Sequence, residues 1–182
     1  MLSYWAYILI GNDKTGKTSF QRHLIADLCG REYDRLPTNT VKEINHPKMP
    51  RGVETISTMN RSYQEKISEY GTVENFFKSS FQEASICILS SHTDAPSIAH
   101  IRDMIRELRL LTYNVAGVFF SNGYNTDAAE ISLLDWDEHL WIDNPTIRQK
   151  GDDDEHEKAI QKQILQRTHE FSDLLVRRAG YQ

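Results

Sequence analysis

The sequence has few cysteines, and none belongs to a recognisable cysteine motif. Only Cys29 and Cys87 occur among its 182 residues. Each lies in an apolar context, outside any CxxC motif or cysteine–histidine cluster. This pattern argues against a disulfide framework and a structural zinc site, and it predicts reduced thiols in an intracellular protein.

Long hydrophobic runs are also missing. The apolar start MLSYWAYILI covers residues 1–10, which is too short to cross a membrane, and no basic segment precedes it as in a signal peptide. We find no internal repeat and no low-complexity tract. We therefore expect a cytoplasmic protein without a membrane partner, and we interpret residues 4–10 as a buried first strand.

The sequence also has no excess of basic residues. The chain has 21 Lys and Arg against 26 Asp and Glu, a formal net charge of −5. It has no overall attraction to nucleic acid, so a nucleic-acid partner is not favoured. With 39% hydrophobic and 26% charged residues, the composition is that of an ordinary globular protein. The length predicts a single domain over residues 1–182.

Buried strands alternate with helices along the chain. Short apolar runs predict strands at 4–10, 84–92, 114–120 and 138–145, and two short candidate strands lie near 40–45 and 53–58 within the irregular region 31–62. Apolar stripes at helical spacing predict helices at 17–29, 64–82, 96–111, 126–134 and 153–179. This order predicts an α/β fold, a three-layer sandwich with a parallel sheet of about five strands and helices on both faces. The functional site of such a fold lies at the carboxyl ends of the strands.

The first strand is followed by a loop that fits the pattern G-x-x-x-x-G-K-[ST]. Gly11, Gly16, Lys17 and Thr18 occupy its fixed positions. Glycine allows the chain to curl tightly, so that backbone N–H groups surround a phosphate chain. The helix that begins near Lys17 directs its positive end at the same place. The sequence therefore predicts a polyphosphate site directly after the first strand.

This segment resembles the Walker A motif of the P-loop NTPases, and the resemblance is strong over residues 4–29. It implies a P-loop NTPase fold that binds ATP or another nucleoside triphosphate with Mg²⁺. Lys17 would reach the terminal phosphates and act in catalysis, and the Thr18 hydroxyl would ligate the metal. The implied nucleotide-binding residues of the loop are Gly11, Asn12, Asp13, Lys14, Thr15, Gly16, Lys17, Thr18 and Ser19. Because Asp13 is an acid within an anion site, we expect its side chain to point outward.

The element order after residue 84 is similar to that of small P-loop kinases. The resemblance covers residues 84–178 and implies transfer of a phosphoryl group to a nucleoside-like, nucleotide-like or other small acceptor. It places Asn144 and Pro145 beside the nucleotide base. The acceptor would bind in the irregular region 31–62, where Asp34 is the candidate base for an acceptor hydroxyl.

Two features depart from the kinase pattern. The strand at 84–92 ends in Ser90-Ser91-His92, where an acid would help to hold Mg²⁺. Ser90 is therefore the candidate contact to the water shell of the metal. In addition, residues 121–138 contain no lysine or arginine that could close over the phosphates as a lid.

Two alternatives remain open. A GTPase-like switch would use Thr38 or Thr40 on Mg²⁺. However, the Asn-Lys-x-Asp segment that reads guanine is replaced by Asn122-Gly123-Tyr124-Asn125, and no D-x-x-G follows the third strand. A non-catalytic regulatory module would bind nucleotide in the same loop without turnover.

Overall fold

The computed structural model describes residues 4–144 and 154–180, and in this part of the chain a strand lies at each of the four apolar runs and at both candidate positions within the region 31–62. The strands are β1 (Trp5–Ile10), β2 (Thr40–Glu43), β3 (Thr55–Thr58), β4 (Ile86–Ser91), β5 (Asn114–Phe120) and β6 (Glu138–Ile142). The helices are α1 (Lys17–Cys29), α2 (Ile67–Tyr70), α3 (Val73–Ser79), α4 (Ala95–Leu110), α5 (Thr126–Ser132) and α6 (Asp154–Gly180).

The strands form one mostly parallel sheet in the order β2-β3-β4-β1-β5-β6. Strand β1 pairs in parallel with both β4 and β5, while β2 pairs antiparallel with β3. The predicted α/β class is confirmed, but the sheet has six strands and one antiparallel pair instead of about five parallel strands. The reason is the short connection between β2 and β3, where Pro47, Pro50 and Gly52 turn the chain back without a crossover helix.

Successive residues of β1 point to opposite faces of the sheet, and each face is covered by helices. On one face Tyr7 and Leu9 pack in a core that includes Phe20 of α1 and Phe171 of α6. On the other face Ile8 packs in a second core, to which α3, α4 and α5 contribute. The sheet is therefore the middle of three layers, and α1 and α6 lie on the same side of it.

The helix predicted at 64–82 is interrupted. A 3₁₀ helix at Tyr63–Lys66 runs into α2, and Gly71 then ends α2 with φ +73°. Thr72 caps the start of α3, where its hydroxyl accepts a hydrogen bond from the N–H of Asn75 at 3.1 Å. The apolar spacing predicted helical structure correctly, but the glycine and the capping threonine divide it into short pieces.

The remaining helices agree with their predicted positions. Asp94 caps α4 by accepting from the N–H of Ser97 at 3.0 Å, and Pro96 lies in the first turn. Cys29 and Cys87 are both free and buried. Among the described helices, none combines the length and the apolar character that a membrane span requires.

Candidate functional site

Three loops meet at the carboxyl end of the centre of the sheet. The glycine loop (residues 11–16) follows β1, residues 92–94 follow β4 and residues 121–125 follow β5. The backbone N–H of Thr93 donates to Asn12 Oδ1 at 3.0 Å, which joins the first two loops. Open α/β sheets bind ligands at such a point, where the chain passes to strands on either side of the first one.

The glycine loop is tightly curled. Gly16 has φ +99° and Lys14 has φ +67°, both in the left-handed region that glycine adopts most readily. A Cβ atom on Gly11 would come within 2.7 Å of Thr15 Oγ1. The Thr15 hydroxyl donates to the backbone oxygen of Asn12 at 2.8 Å. The loop thus closes on itself, and only glycine fits at its two ends.

The backbone N–H groups of this segment are free. Within the described part of the chain, none of the N–H groups of residues 12–19 donates a hydrogen bond. Backbone N–H groups are obligatory donors, and a curled run of them at the start of a helix attracts anions. Because α1 begins at Lys17, the positive end of its dipole adds to this attraction.

The Lys17 side chain folds back over the glycine loop. Its ammonium group donates to the backbone oxygen of Gly11 and, at 2.9 Å, to that of Asn12. The residue is only 9% exposed. Burial lowers the pKa of Lys17 to about 8, although the nearby carboxylates of Asp13 and Glu65 act in the opposite direction. An anion in the loop would favour the charged form of this lysine.

Two asparagines from distant parts of the chain hold the glycine loop from behind. Asn144 Nδ2 donates to the backbone oxygen of Thr15 at 3.0 Å, and Asn122 Nδ2 donates to the same oxygen at 3.3 Å. Asn144 is 1% exposed. Its place is therefore behind the loop, where its amide supports the curl of the backbone. The expectation that it flanks a nucleotide base stays a prediction.

A cavity of about 200 Å³ opens in front of the free N–H groups, and we call it the loop cavity. Its lining consists of residues 12–19 together with Asn60, Glu65, Ile160, Gln161 and Ile164. The last three residues belong to α6, so this helix forms one wall. The lining combines N–H donors, a buried ammonium group and two carboxylates, a set suited to a phosphate chain with a cation.

Three metal-ligating side chains meet at the edge of the loop cavity. His92 Nε2 lies 3.6 Å from Asp13 Oδ1 and 3.6 Å from Glu65 Oε1. All three ligand atoms are within 4.8 Å of one another. Carboxylate and imidazole groups are ordinary ligands of divalent cations. The Asp13 side chain is 83% exposed, in agreement with the expected outward orientation.

Thr18 lies beside a small network that connects two other loops. Within residues 4–144 and 154–180, its hydroxyl makes one long contact, donating to the backbone oxygen of Asn60 at 3.4 Å. The amide of Asn60 receives a hydrogen bond from the Thr38 hydroxyl at 2.6 Å and donates to the backbone oxygen of Leu36 at 2.7 Å. Asn60 therefore holds the loop after α1 next to the loop after β3, and the Thr18 hydroxyl keeps its lone pairs available.

A second cavity of about 400 Å³ adjoins the loop cavity, and we call it the arginine cavity. It shares Asp13, Thr18, Ser19, Asn60 and Glu65 with the loop cavity. The rest of its lining is Arg22, Asp34, Arg35, Leu36, Thr38 and Arg61. Asp34 thus lines the same cavity as Asp13 of the glycine loop, and its role as a base for an acceptor stays a prediction.

Two of the predicted site residues lie elsewhere or outside the described chain. Ser90 is fully buried, and its hydroxyl accepts a hydrogen bond from Gln21 Nε2 at 2.7 Å. Neither cavity includes Ser90 in its lining, so its contact with a metal's water shell stays a prediction that these contacts do not favour. Pro145 lies outside the described residues.

Sequence reasoning missed Glu65 and Asn60 as members of the site. Glu65 accepts from the N–H of Ser62 at 3.1 Å and forms a capping box with that serine. The spacing Ser62-x-x-Glu65 is visible in the sequence and would have placed the acid at a helix start near a strand end. Asn60 follows β3 closely, and the rule that strand ends carry function could have indicated it.

Comparisons with protein-family models, curated protein sequences and solved structures gave no match. The likeness of residues 11–18 to the Walker A motif therefore stays a resemblance.

Proposed function

We propose that this chain binds the triphosphate tail of a nucleotide in the loop cavity and transfers its terminal phosphoryl group to a small acceptor. The observation that carries the proposal is the run of free N–H groups at residues 12–19 beside the buried ammonium group of Lys17. Both features favour an anion, and the cavity of about 200 Å³ in front of them leaves room for a phosphate chain.

Phosphate oxygens would compete with the backbone oxygens of Gly11 and Asn12 for the ammonium group of Lys17. Among the described residues, the ammonium group of Lys17 donates to these two neutral oxygens and to no carboxylate. A phosphate would replace a neutral carbonyl contact with a charge-assisted one, which is roughly twice as strong. Lys17 would then stabilise the charge that develops on the phosphates during transfer.

The residues around Thr18 fit a divalent cation such as Mg²⁺. The Thr18 hydroxyl makes a long contact to Asn60, and the carboxylates of Asp13 and Glu65 line the same cavity. Oxygen ligands of this type are those that Mg²⁺ prefers. When bound, the ion would neutralise charge on the phosphate oxygens.

Asp34 would act as the base for the acceptor. Its carboxylate lines the cavity that adjoins Thr18 and Ser19. As the hydroxyl oxygen of the acceptor forms a bond to the terminal phosphorus, the bond from that phosphorus to the bridging oxygen breaks. The nucleoside diphosphate leaves with the bond electrons, and the hydroxyl proton passes to Asp34.

Calorimetry tests the binding step. The full chain is titrated with MgATP and with a non-hydrolysable triphosphate, and Lys17→Ala is compared with Lys78→Ala. Lys78 is exposed on α3 and pairs with Glu74 at 2.5 Å, so its removal leaves the site unchanged. We expect Lys17→Ala to abolish measurable binding while its circular dichroism spectrum stays native. Unchanged affinity in Lys17→Ala would contradict the proposal.

Turnover is tested separately by the release of diphosphate in the presence of nucleosides, nucleotides and sugars. We expect at least one class to stimulate release and Asp34→Asn to reduce that stimulation strongly. Tight binding without any stimulated release would favour the non-catalytic nucleotide-binding module.

One observation favours a GTP-dependent switch as the second candidate. Thr38 lines the arginine cavity together with Thr18 and donates to the side chain of Asn60, which is the neighbourhood that a switch threonine requires. The switch requires that GTP bind much more tightly than ATP, and the same calorimetry with both nucleotides separates the two functions.

A further inference from the structure

The arginine cavity contains three guanidinium groups that come from three different segments. Arg22 belongs to α1, Arg35 to the loop after α1 and Arg61 to the loop after β3. Asn60 joins the last two segments through its hydrogen bonds to Leu36 and Thr38. Asn60 thus fixes the loop that carries Arg35 against the loop that carries Arg61.

None of these three arginines forms an ion pair with a carboxylate in the described part of the chain. Arg22 donates only to the backbone oxygen of Asp34, at 3.4 Å. Four other arginines of the described chain do have carboxylate partners: Arg106, Arg109, Arg167 and Arg178. Three acids also line the arginine cavity: Asp34, and Asp13 and Glu65, which approach His92.

We propose that the arginine cavity binds a phosphomonoester group of the acceptor, so that the acceptor is itself a small phosphorylated molecule. Guanidinium groups present paired donors that match phosphate oxygens, and three of them without acidic partners favour a multiply charged anion. The volume of about 400 Å³ is that of a small-molecule site. This inference rests on the proposed function, because it names the substrate class for the same site.

The position of the cavity explains how such an acceptor would be oriented. The two cavities share Thr18 and Ser19, so a molecule held by Arg35 and Arg61 would lie next to the end of the triphosphate. Asp34 lines the same space and would face its hydroxyl group. The anion would fix one end of the acceptor, and the hydroxyl at the other end would receive the phosphoryl group.

Inorganic phosphate is the probe for this site. The full chain is first saturated with a non-hydrolysable triphosphate and Mg²⁺, which fills the loop cavity, and phosphate is then titrated by calorimetry. We expect one phosphate to bind, and the double variant Arg35→Gln/Arg61→Gln to bind it at least about tenfold more weakly. Arg51→Gln is the matched control, an exposed arginine of the region 31–62 that lines neither cavity.

The two titrations separate the two proposals. Failure of the triphosphate to bind would contradict the proposed function. If the triphosphate binds, then absence of phosphate binding, or equal phosphate affinity in the double variant, would overturn the phosphorylated acceptor. The phosphorylated acceptor would also be overturned if the double variant lost as much affinity for the triphosphate as for phosphate. The two arginines would then bind the nucleotide and not the acceptor. In an acceptor screen, phosphorylated compounds should stimulate diphosphate release and their unphosphorylated counterparts should not.

Discussion

The side-chain amide of Asn144 donates a hydrogen bond to the backbone oxygen of Thr15 at 3.0 Å and so connects the end of β6 to the glycine loop. The contact is buried, and the oxygen has a further donor in Asn122 at 3.3 Å. We expect Asn144→Ala to lower the free energy of unfolding by about 1–3 kcal/mol, because it removes a buried hydrogen bond. Denaturant unfolding measures this loss.

Triphosphate affinity should also fall in Asn144→Ala, since the loop loses a support of its curl. The control is Asn122→Ala, whose longer bond is less buried and whose loss should be smaller in both measurements. Equal effects of the two substitutions would contradict this prediction. They would show that the shorter, more buried hydrogen bond from Asn144 to Thr15 is no stronger than the one from Asn122.

Gly16 has a left-handed backbone conformation, and neighbouring side chains leave no room for a Cβ atom. A Cβ atom there would lie 2.8 Å from Ile164 Cδ1 and 3.3 Å from Asn144 Nδ2. Gly30 has φ +67° but no neighbour within 4 Å, so Gly30→Ala measures the backbone cost alone, about 1–2 kcal/mol. We expect Gly16→Ala to cost more than this in thermal or denaturant unfolding and to weaken triphosphate binding.

The steric part of the Gly16→Ala effect has its own check. Ile164→Val removes the Cδ1 atom that the new methyl group would meet. The double variant Gly16→Ala/Ile164→Val should therefore recover part of the stability that Gly16→Ala loses. No recovery would mean that the contact with α6 does not contribute to the loss.

Triphosphate binding should depend on pH through Lys17. Burial lowers the pKa of Lys17 to about 8, so the lysine of the free protein is charged below that pH and loses its proton above it. Anion binding needs the charged form. Affinity should therefore be constant below pH 8 and fall above it, by up to about tenfold per pH unit.

The control for this pH dependence is Lys17→Arg, because arginine stays charged throughout the range. Calorimetry between pH 7 and pH 10 should show a flat affinity for this variant, at whatever absolute level it binds. A flat profile for the natural lysine, or the same fall for the arginine variant, would assign the pH dependence to another group.

Arg178 connects α6 to the sheet far from the glycine loop. It pairs with Glu138, donates to the hydroxyl of Tyr7 at 2.8 Å and lies 4.2 Å from the centre of the Trp5 ring. We expect Arg178→Ala to lower the free energy of unfolding by about 1–3 kcal/mol. Because these contacts are at β1 and β6 and not in either cavity, triphosphate affinity should not change.

Arg177→Ala is the matched control, since Arg177 is the exposed neighbour on the same helix. Its removal should change stability by less than about 0.5 kcal/mol. A large loss of triphosphate affinity in Arg178→Ala would contradict the separation between this cluster and the site.

The strands and most helices could be predicted because their signals are local. Apolar runs of strand length located β1, β4, β5 and β6, and the spacing of apolar residues located α1, α4 and α5. Strands β2 and β3 lie at the two candidate positions of the irregular region 31–62. The division of the segment 64–82 was less visible, since Gly71 and Thr72 interrupt a pattern that is otherwise helical. The direction of β2 was not predicted because strand pairing depends on the connection and on the neighbour that is available.

The curl of the glycine loop is specified by neighbouring residues. Two glycines, a lysine and the start of a helix follow one another in the chain. Together they curl the backbone at Gly16 and expose its N–H groups. The surroundings of that curl depend on how the whole chain folds. Asn144 and Asn122 reach Thr15 across more than 100 residues of chain, and Arg22, Arg35 and Arg61 meet in one cavity. Such contacts join side chains that are distant in sequence, and only the packing of the sheet and its helices brings them together.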